Sequence, residues 1–290
     1  MRTRHAVGLG LFGLLVALYS CSQPEGASSC GEAPKCAKSA KKTKKLLYCS
    51  YATAYVHDCL ALSEEVVAKL GKDSGAFEVI SDKGYSKKKE EVNLSHFTPE
   101  YLAQFDGVMW YVTGELQMGE AQQKALIDFV KGGKAFIGIH SAADPFYRWP
   151  EFGEMIGGYF KGHPWRSDDP QPVVITVEDR KHPATKMLPK EWTIKEEIYQ
   201  FDAPYSRKNL RVLMSLNTAK TDMNKPDLLY GKDGDYAVAW CRTYGQGRVF
   251  YTSLGHSQAT WKDPLFQKHL LGGIKWALGM VKGDATPNPK

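Results

Sequence analysis

Cysteine is scarce in this chain and poorly spaced for cofactors. Six cysteines occur in 290 residues, and none falls in a Cys-x-x-Cys or Cys-x-x-Cys-His arrangement. That excludes zinc-ribbon spacing and covalent haem attachment. The turn at Gly132-Gly133 also lacks a Gly-x-Gly-x-x-Gly arrangement. The pair Gly132-Gly133 leads into an apolar segment rather than following one, so no dinucleotide fingerprint and no NAD site is expected. No internal repeat is visible. The net charge of +6 is confined to one end: residues 1–45 hold eight Lys or Arg against Glu25 and Glu32, leaving residues 46–290 with 30 basic and 30 acidic groups. The folded part therefore has no global field for nucleic acid, and no nucleic-acid partner is expected.

The amino terminus has the pattern of an export signal. Arg2 and Arg4 precede the apolar run Ala6 to Leu18, which is too short to span a bilayer as a helix. Leu18-Tyr-Ser-Cys21 then resembles a bacterial lipobox, with Cys21 as the residue to be lipidated. Tyr19 is bulky for such a motif, so ordinary signal-peptide cleavage stands as the alternative. The expectation is an exported, periplasmic or cell-surface protein whose membrane contact is limited to an N-terminal lipid. Residues 1–21 form the signal, 22–44 a Lys-rich linker, 45–281 the folded domain and 282–290 a tail. The run Lys41 to Lys45 reads as a solvated linker. Cys30 and Cys36 could close a loop in an oxidising compartment, whereas Cys49, Cys59 and Cys241 sit in apolar segments as buried thiols.

Beyond the linker, strand and helix patterns alternate. Strands are predicted at 46–52, 76–81, 107–112 and 135–139, helices at 57–70 and 118–130, and a long loop over 82–95 with Thr98 capping a short helix. The order implies parallel strands with helices on both faces. The second half reads as more antiparallel, with strands at 172–177, 192–199, 210–215, 236–242 and 248–253, a hairpin at Tyr244-Gly-Gln-Gly247 and a closing helix over 263–278. The fold class is α/β: a three-layer, flavodoxin-like domain with a mainly parallel sheet and an added β region.

Polar groups recur just past the strand ends. His57 follows the first strand, Thr113 and Glu115 the third, His140 and Asp144 the fourth, and His256 the last. In an open α/β sheet that edge binds ligands. Gly138-Ile-His-Ser-Ala142 has the spacing of a nucleophile elbow with histidine at its centre. His163 lies in the glycine-rich stretch 157–164, expected to be a loop near the same edge, and Glu196 and Glu197 sit in a strand-like stretch that would send them to opposite faces.

Gly-Ile-His-Ser-Ala, then Gly-Gly-Tyr-Phe-Lys-Gly-His-Pro, Glu-Glu-Ile-Tyr and Val-Ala-Trp (238–240) occur in that order, followed by Tyr-Gly-Gln-Gly-Arg-Val-Phe-Tyr-Thr-Ser-Leu-Gly-His (244–256). Together they resemble the ThuA-like (trehalose-utilisation) family over residues 45–280. The resemblance implies a fold related to class I glutamine amidotransferases and a place in sugar catabolism, often of disaccharides and keto-sugars. The amidotransferase pattern needs a cysteine at the elbow. His140 cannot supply a thiolate, so glutaminase activity is not expected.

Two chemistries stand open for the histidines. His140, His163 and His256 could ligate a divalent metal, zinc or similar, with Glu197 as fourth ligand or base. Alternatively His140, Glu197 and His256 work metal-free as acid–base catalysts on a sugar or keto-sugar. The expected partner is a small carbohydrate, met by His57, Glu115, Asp144 and His163. Trp165 and Trp261 are candidates for stacking on sugar faces, with core packing as their other role. A non-catalytic carbohydrate binder and a Ser141 hydrolase are the competing functions. Arg248 is expected to cap carbonyls or pair with a carboxylate, and His182 and His269 to be structural.

Overall fold

The structure is a computed structural model that describes residues 43–85 and 92–289. The expected export signal with Cys21, residues 22–42 of the expected linker, and residues 86–91 of the expected loop lie outside the described residues. In chain order the elements begin with β1 (Lys44–Ala52), α1 (Leu60–Ser74), β2 (Phe77–Tyr85), α2 (Pro99–Leu102), β3 (Gly107–Thr113), α3 (Glu120–Lys131) and β4 (Ala135–Ile139). A 3-10 turn (His140–Ala143) leads to α4 (Pro150–Ile156), β5 (Tyr159–Trp165), β6 (Val173–Val177), β7 (Glu191–Ile194) and β8 (Ile198–Asp202). Then come β9 (Arg211–Leu216), β10 (Ala237–Tyr244), β11 (Gly247–Thr252), α5 (Gln258–Lys262) and α6 (Pro264–Ala277).

Apolar residues on both faces of the early strands dictate the layering. In β1, Leu46 and Tyr48 point into one core and Leu47 and Cys49 into the other; in β3, Met109 and Tyr111 oppose Val108 and Trp110. A strand buried on both sides needs a helix layer above and below. Leu60 and Val67 of α1 with Phe266, Leu270 and Ile274 of α6 supply one layer, and Leu126 of α3 with Phe152 and Met155 of α4 supply the other. No helix among the described residues is long and apolar enough to cross a membrane.

One nine-stranded sheet runs β2-β1-β3-β4-β11-β10-β9-β6-β7, and β5 pairs with β8 in a separate antiparallel ribbon. The first five strands are parallel neighbours in the flavodoxin-type order, and the added region continues the same sheet with antiparallel pairs. The carboxyl ends of β1, β3, β4 and β11 therefore lie side by side.

Several local expectations change. Strand β1 begins at Lys44, so Lys44 and Lys45 are anchored to Asp106 and not part of a solvated linker, and β2 runs on to Tyr85 through the start of the expected loop because it pairs with β1 over its whole length. Helix α1 starts at Leu60 rather than His57 and runs past Gly71 to Ser74, ending at Gly75. The stretch 192–199 is two strands in different sheets, interrupted at Lys195, Glu196 and Glu197, because the carboxylates turn into the site instead of alternating along a ladder. The glycine-rich stretch 157–164 is mostly strand β5, paired with β8 through register shifts near Gly162. Cys49, Cys59 and Cys241 are free and buried, and Arg248 donates to the carbonyls of Trp276 and Val281, all as the sequence suggests.

Gly138 sits in β4 just before the sharp turn. A Cβ there would stand 2.8 Å from the Tyr251 ring and 3.2 Å from Ile156. Gly138→Val should therefore destabilise the fold by about 1–3 kcal/mol through overpacking. The check is a lower urea midpoint at unchanged m-value, and an unchanged midpoint would contradict the packing argument.

Candidate active site

The turn after β4 is an elbow in fact as well as in spacing. His140 has φ +47°, a left-handed conformation that a β-carbon resists. Two bonds hold it there: the Tyr251 hydroxyl donates to the His140 carbonyl at 2.6 Å, and His140 Nδ1 lies 2.6 Å from the Ser253 carbonyl. A carbonyl only accepts, so Nδ1 carries the proton. In the neutral ring Nε2 then keeps its lone pair, and the Tyr199 hydroxyl donates to it at 2.9 Å. Burial pushes His140 well below the ordinary imidazole pKa, and neighbouring His57 and His256 add to the effect. The ring is neutral and forms the floor beneath the cleft, with no surface of its own.

Two more imidazoles meet it. His57, in the lead-in to α1, sets its ring edge-on to His140 and His256 at centroid distances of 4.9 and 5.1 Å. Its Nδ1 is 3.4 Å from Thr113 Oγ1, whose own proton goes to Ser141 at 2.8 Å. Burial and then the field of His256 lower its pKa to about 3. His256 follows Gly255, whose φ of +120° suits glycine, and puts Nδ1 3.3 Å from His140 Nε2. Burial lowers its pKa as well. The ligand-capable nitrogens of His57, His140 and His256 all lie within 4.8 Å of one another.

The carboxylates come from the break between β7 and β8. Glu196 is wholly buried. It accepts from the backbone N–H groups of Glu197 (3.1 Å) and His256 (2.9 Å) and from the hydroxyls of Ser257 and Thr260. Glu197 turns the other way. Its oxygens stand 3.7 Å from His140 Nε2, 3.7 Å from His256 Nδ1 and 3.6 Å from His163 Nδ1, so it faces three imidazoles without hydrogen-bonding any. Burial raises its pKa to about 7, and Glu196 adds to the rise. With the imidazoles neutral, these approaches lack full ion-pair attraction near neutral pH.

The cleft has a volume of about 330 Å³ and is walled by Tyr55, His57, Asp144, Phe160, His163, Arg166, Glu197, Tyr199 and His256. That is small-molecule size. His163 projects from β5, not from a loop; its Nδ1 is buried with no hydrogen-bond partner among the described residues. Asp144 accepts from Gly114 N–H at 3.1 Å and from the Tyr147 hydroxyl at 2.7 Å.

Other predicted residues lie elsewhere. Glu115 is one step behind the wall, accepting from the Tyr147 N–H at 3.0 Å. Both tryptophans are core residues: Trp165 donates to the Asp222 carbonyl, and Trp261 donates to the Gly255 carbonyl and stacks on Tyr111. Their large apolar rings gain more from burial than the cleft offers. Ser141 is buried under the turn against Thr113. His163 is not among the mutually close nitrogens, and His57 takes the place the sequence gave it. Tyr199 was legible in principle, since it lies two residues past Glu197 and shares its side of an extended chain. Nothing in the sequence marked Tyr55 or Phe160.

Strain at the elbow gives a direct test. His140→Gly and His140→Ala both lose the imidazole, but only alanine keeps the β-carbon at positive φ. The glycine variant should be the more stable of the two by about 1 kcal/mol, read from paired denaturation curves; equal stability would mean that the turn is relaxed.

Comparison with known proteins follows the same lines. A comparison with curated proteins finds no match. A ThuA-like protein from Bacteroides uniformis superposes with a TM-score of 0.60 at 22% identity, over 82% of this chain and 93% of that one. A second, from Parabacteroides merdae, gives 0.60 at 21% identity over 84% and 93%. A cytoplasmic protein from Salmonella typhimurium gives 0.52 at 11% identity over 81% and 98%. These likenesses show the shared fold. The family described as ThuA, trehalose utilisation, matches residues 45–277. Nearly the whole of the described domain falls within that match, and the chain belongs to the ThuA family.

Proposed function

We propose that the cleft is the active site of an enzyme of carbohydrate catabolism that moves a proton on a sugar or keto-sugar. The observation that carries this reading is Glu197: a carboxylate 6% exposed, 3.6–3.7 Å from His140, His163 and His256 and hydrogen-bonded to none of them. A buried carboxylate held free of direct partners can take a proton from carbon beside a carbonyl. His163 and His256, which line the same cleft, can donate hydrogen bonds that support charge on the carbonyl oxygen. Isomerisation, epimerisation and β-elimination of a keto-sugar all begin with that step. Asp144, His163 and Arg166 offer hydrogen bonds to hydroxyls, and Tyr55 and Phe160 offer apolar faces.

Glutamine hydrolysis is not part of this reading, because the elbow holds His140 and no cysteine among the described residues lines the cleft. The reading keeps the protein exported and attached to a membrane surface through a lipid on Cys21.

The test is solvent deuterium exchange at carbon, followed by NMR, with a panel of aldoses, ketoses, trehalose and keto-disaccharides. Wild type should exchange the hydrogen beside the carbonyl of at least one keto-sugar, and Glu197→Gln should slow exchange by about 10²–10⁴-fold with its melting curve intact. Saturable binding without exchange would make the protein a carbohydrate binder instead. A fluorophosphonate should leave Ser141 unlabelled, since its hydroxyl is enclosed; stoichiometric labelling would favour a serine hydrolase.

A further inference from the structure

We propose that the chain binds one divalent transition-metal ion, zinc or a chemically similar cation, through His57, His140 and His256, with a further position open to the cleft. This rests on reading the cleft as a reaction centre. Two nitrogens on a tetrahedral ion at ~2.0–2.1 Å lie roughly 3.4 Å apart, and His140 Nε2 and His256 Nδ1 are 3.3 Å apart. The ligand-capable nitrogens of the three residues lie within 4.8 Å of one another, so an ion bound by all three needs only a small closing of the group.

The groups behind the rings point the same way. The Ser253 carbonyl takes the Nδ1 proton of His140, which leaves Nε2 as its lone-pair nitrogen; an ion bound there displaces the Tyr199 hydroxyl that otherwise donates to it. Thr113 Oγ1, having given its proton to Ser141, can accept from His57 Nδ1, which leaves Nε2 as the lone-pair nitrogen of that ring. Three neutral imidazoles suit zinc, copper, nickel or iron over magnesium or calcium.

His163, which the sequence placed in the ligand set, is set apart with its Nδ1 facing Glu197. Glu197 Oε1 is equidistant, at 3.7 Å, from His140 Nε2 and His256 Nδ1, beside the ion's position. A cation there would polarise a sugar oxygen at its open position.

The test uses the full chain, stripped with chelator and with reactive thiols alkylated so that cysteine cannot ligate. Titration with zinc chloride by calorimetry should give one site per chain, and cobalt(II) should produce visible bands of a four- or five-coordinate ion. His57→Gln and His256→Gln should each weaken zinc binding by at least ~10–100-fold, while His163→Gln keeps the single site. Near-ultraviolet circular dichroism confirms that each variant is folded. Wild type without a stoichiometric site would overturn the inference, as would His57→Gln binding like wild type. Carbon–deuterium exchange that persists in chelator would leave the proton-transfer reading standing while the metal fails; tight zinc binding with no exchange on any sugar would do the reverse.

Discussion

A single buried carboxylate fastens the two halves of this site together. Glu196 comes from the connection between β7 and β8, yet its acceptors are filled by the backbone of His256 and the hydroxyls of Ser257 and Thr260, some sixty residues on. Hydrogen bonds to an ionised acceptor are stronger than neutral ones, and inside a protein their loss leaves a desolvated carboxylate behind. The bond network thus fixes where β11 delivers His256. By occupying Glu196 completely it also obliges the next residue, Glu197, to face the cleft. Burial raises Glu196 to a pKa of about 7, so the same anchor carries its cost of desolvation at the point where the site needs rigidity.

The parallel half of the fold was plain in the sequence because its physics is local. Runs such as 107–112 are apolar at every position, and only a strand covered on both faces tolerates that. The polar residues that ended those runs were equally legible, since His57, Thr113, His140 and His256 gather as soon as their strands become neighbours. Harder to read was anything decided by tertiary contact. The division of 192–199 into two sheets follows from what Glu196 binds, and no periodicity records that. Trp165 and Trp261 stood open between sugar platform and core because aromatic composition does not distinguish a wall from a core. The exchange of His163 for His57 in the imidazole group turns on ring orientations that residue spacing does not contain.

At the elbow, the chain retains a strained backbone while presenting a side chain of different chemistry. A left-handed residue after β4 lifts its side chain towards the sheet's ligand edge whatever that side chain is. With a histidine there, tied by Ser253 on one nitrogen and met by Tyr199 on the other, the strain serves to orient a lone pair.

The ribbon of β5 and β8 stands outside the ladder of the main sheet, but it supplies His163 and Tyr199 to the cleft. One wall of the pocket therefore hangs on a two-stranded unit whose register is already irregular at Gly162, and the opposite wall on a nine-stranded frame. Substitutions in the smaller unit can redraw which hydroxyls are recognised without disturbing the strand ends that carry His57, His140 and His256. Divergence among relatives in what they accept should accumulate on that ribbon, leaving the histidine floor unchanged.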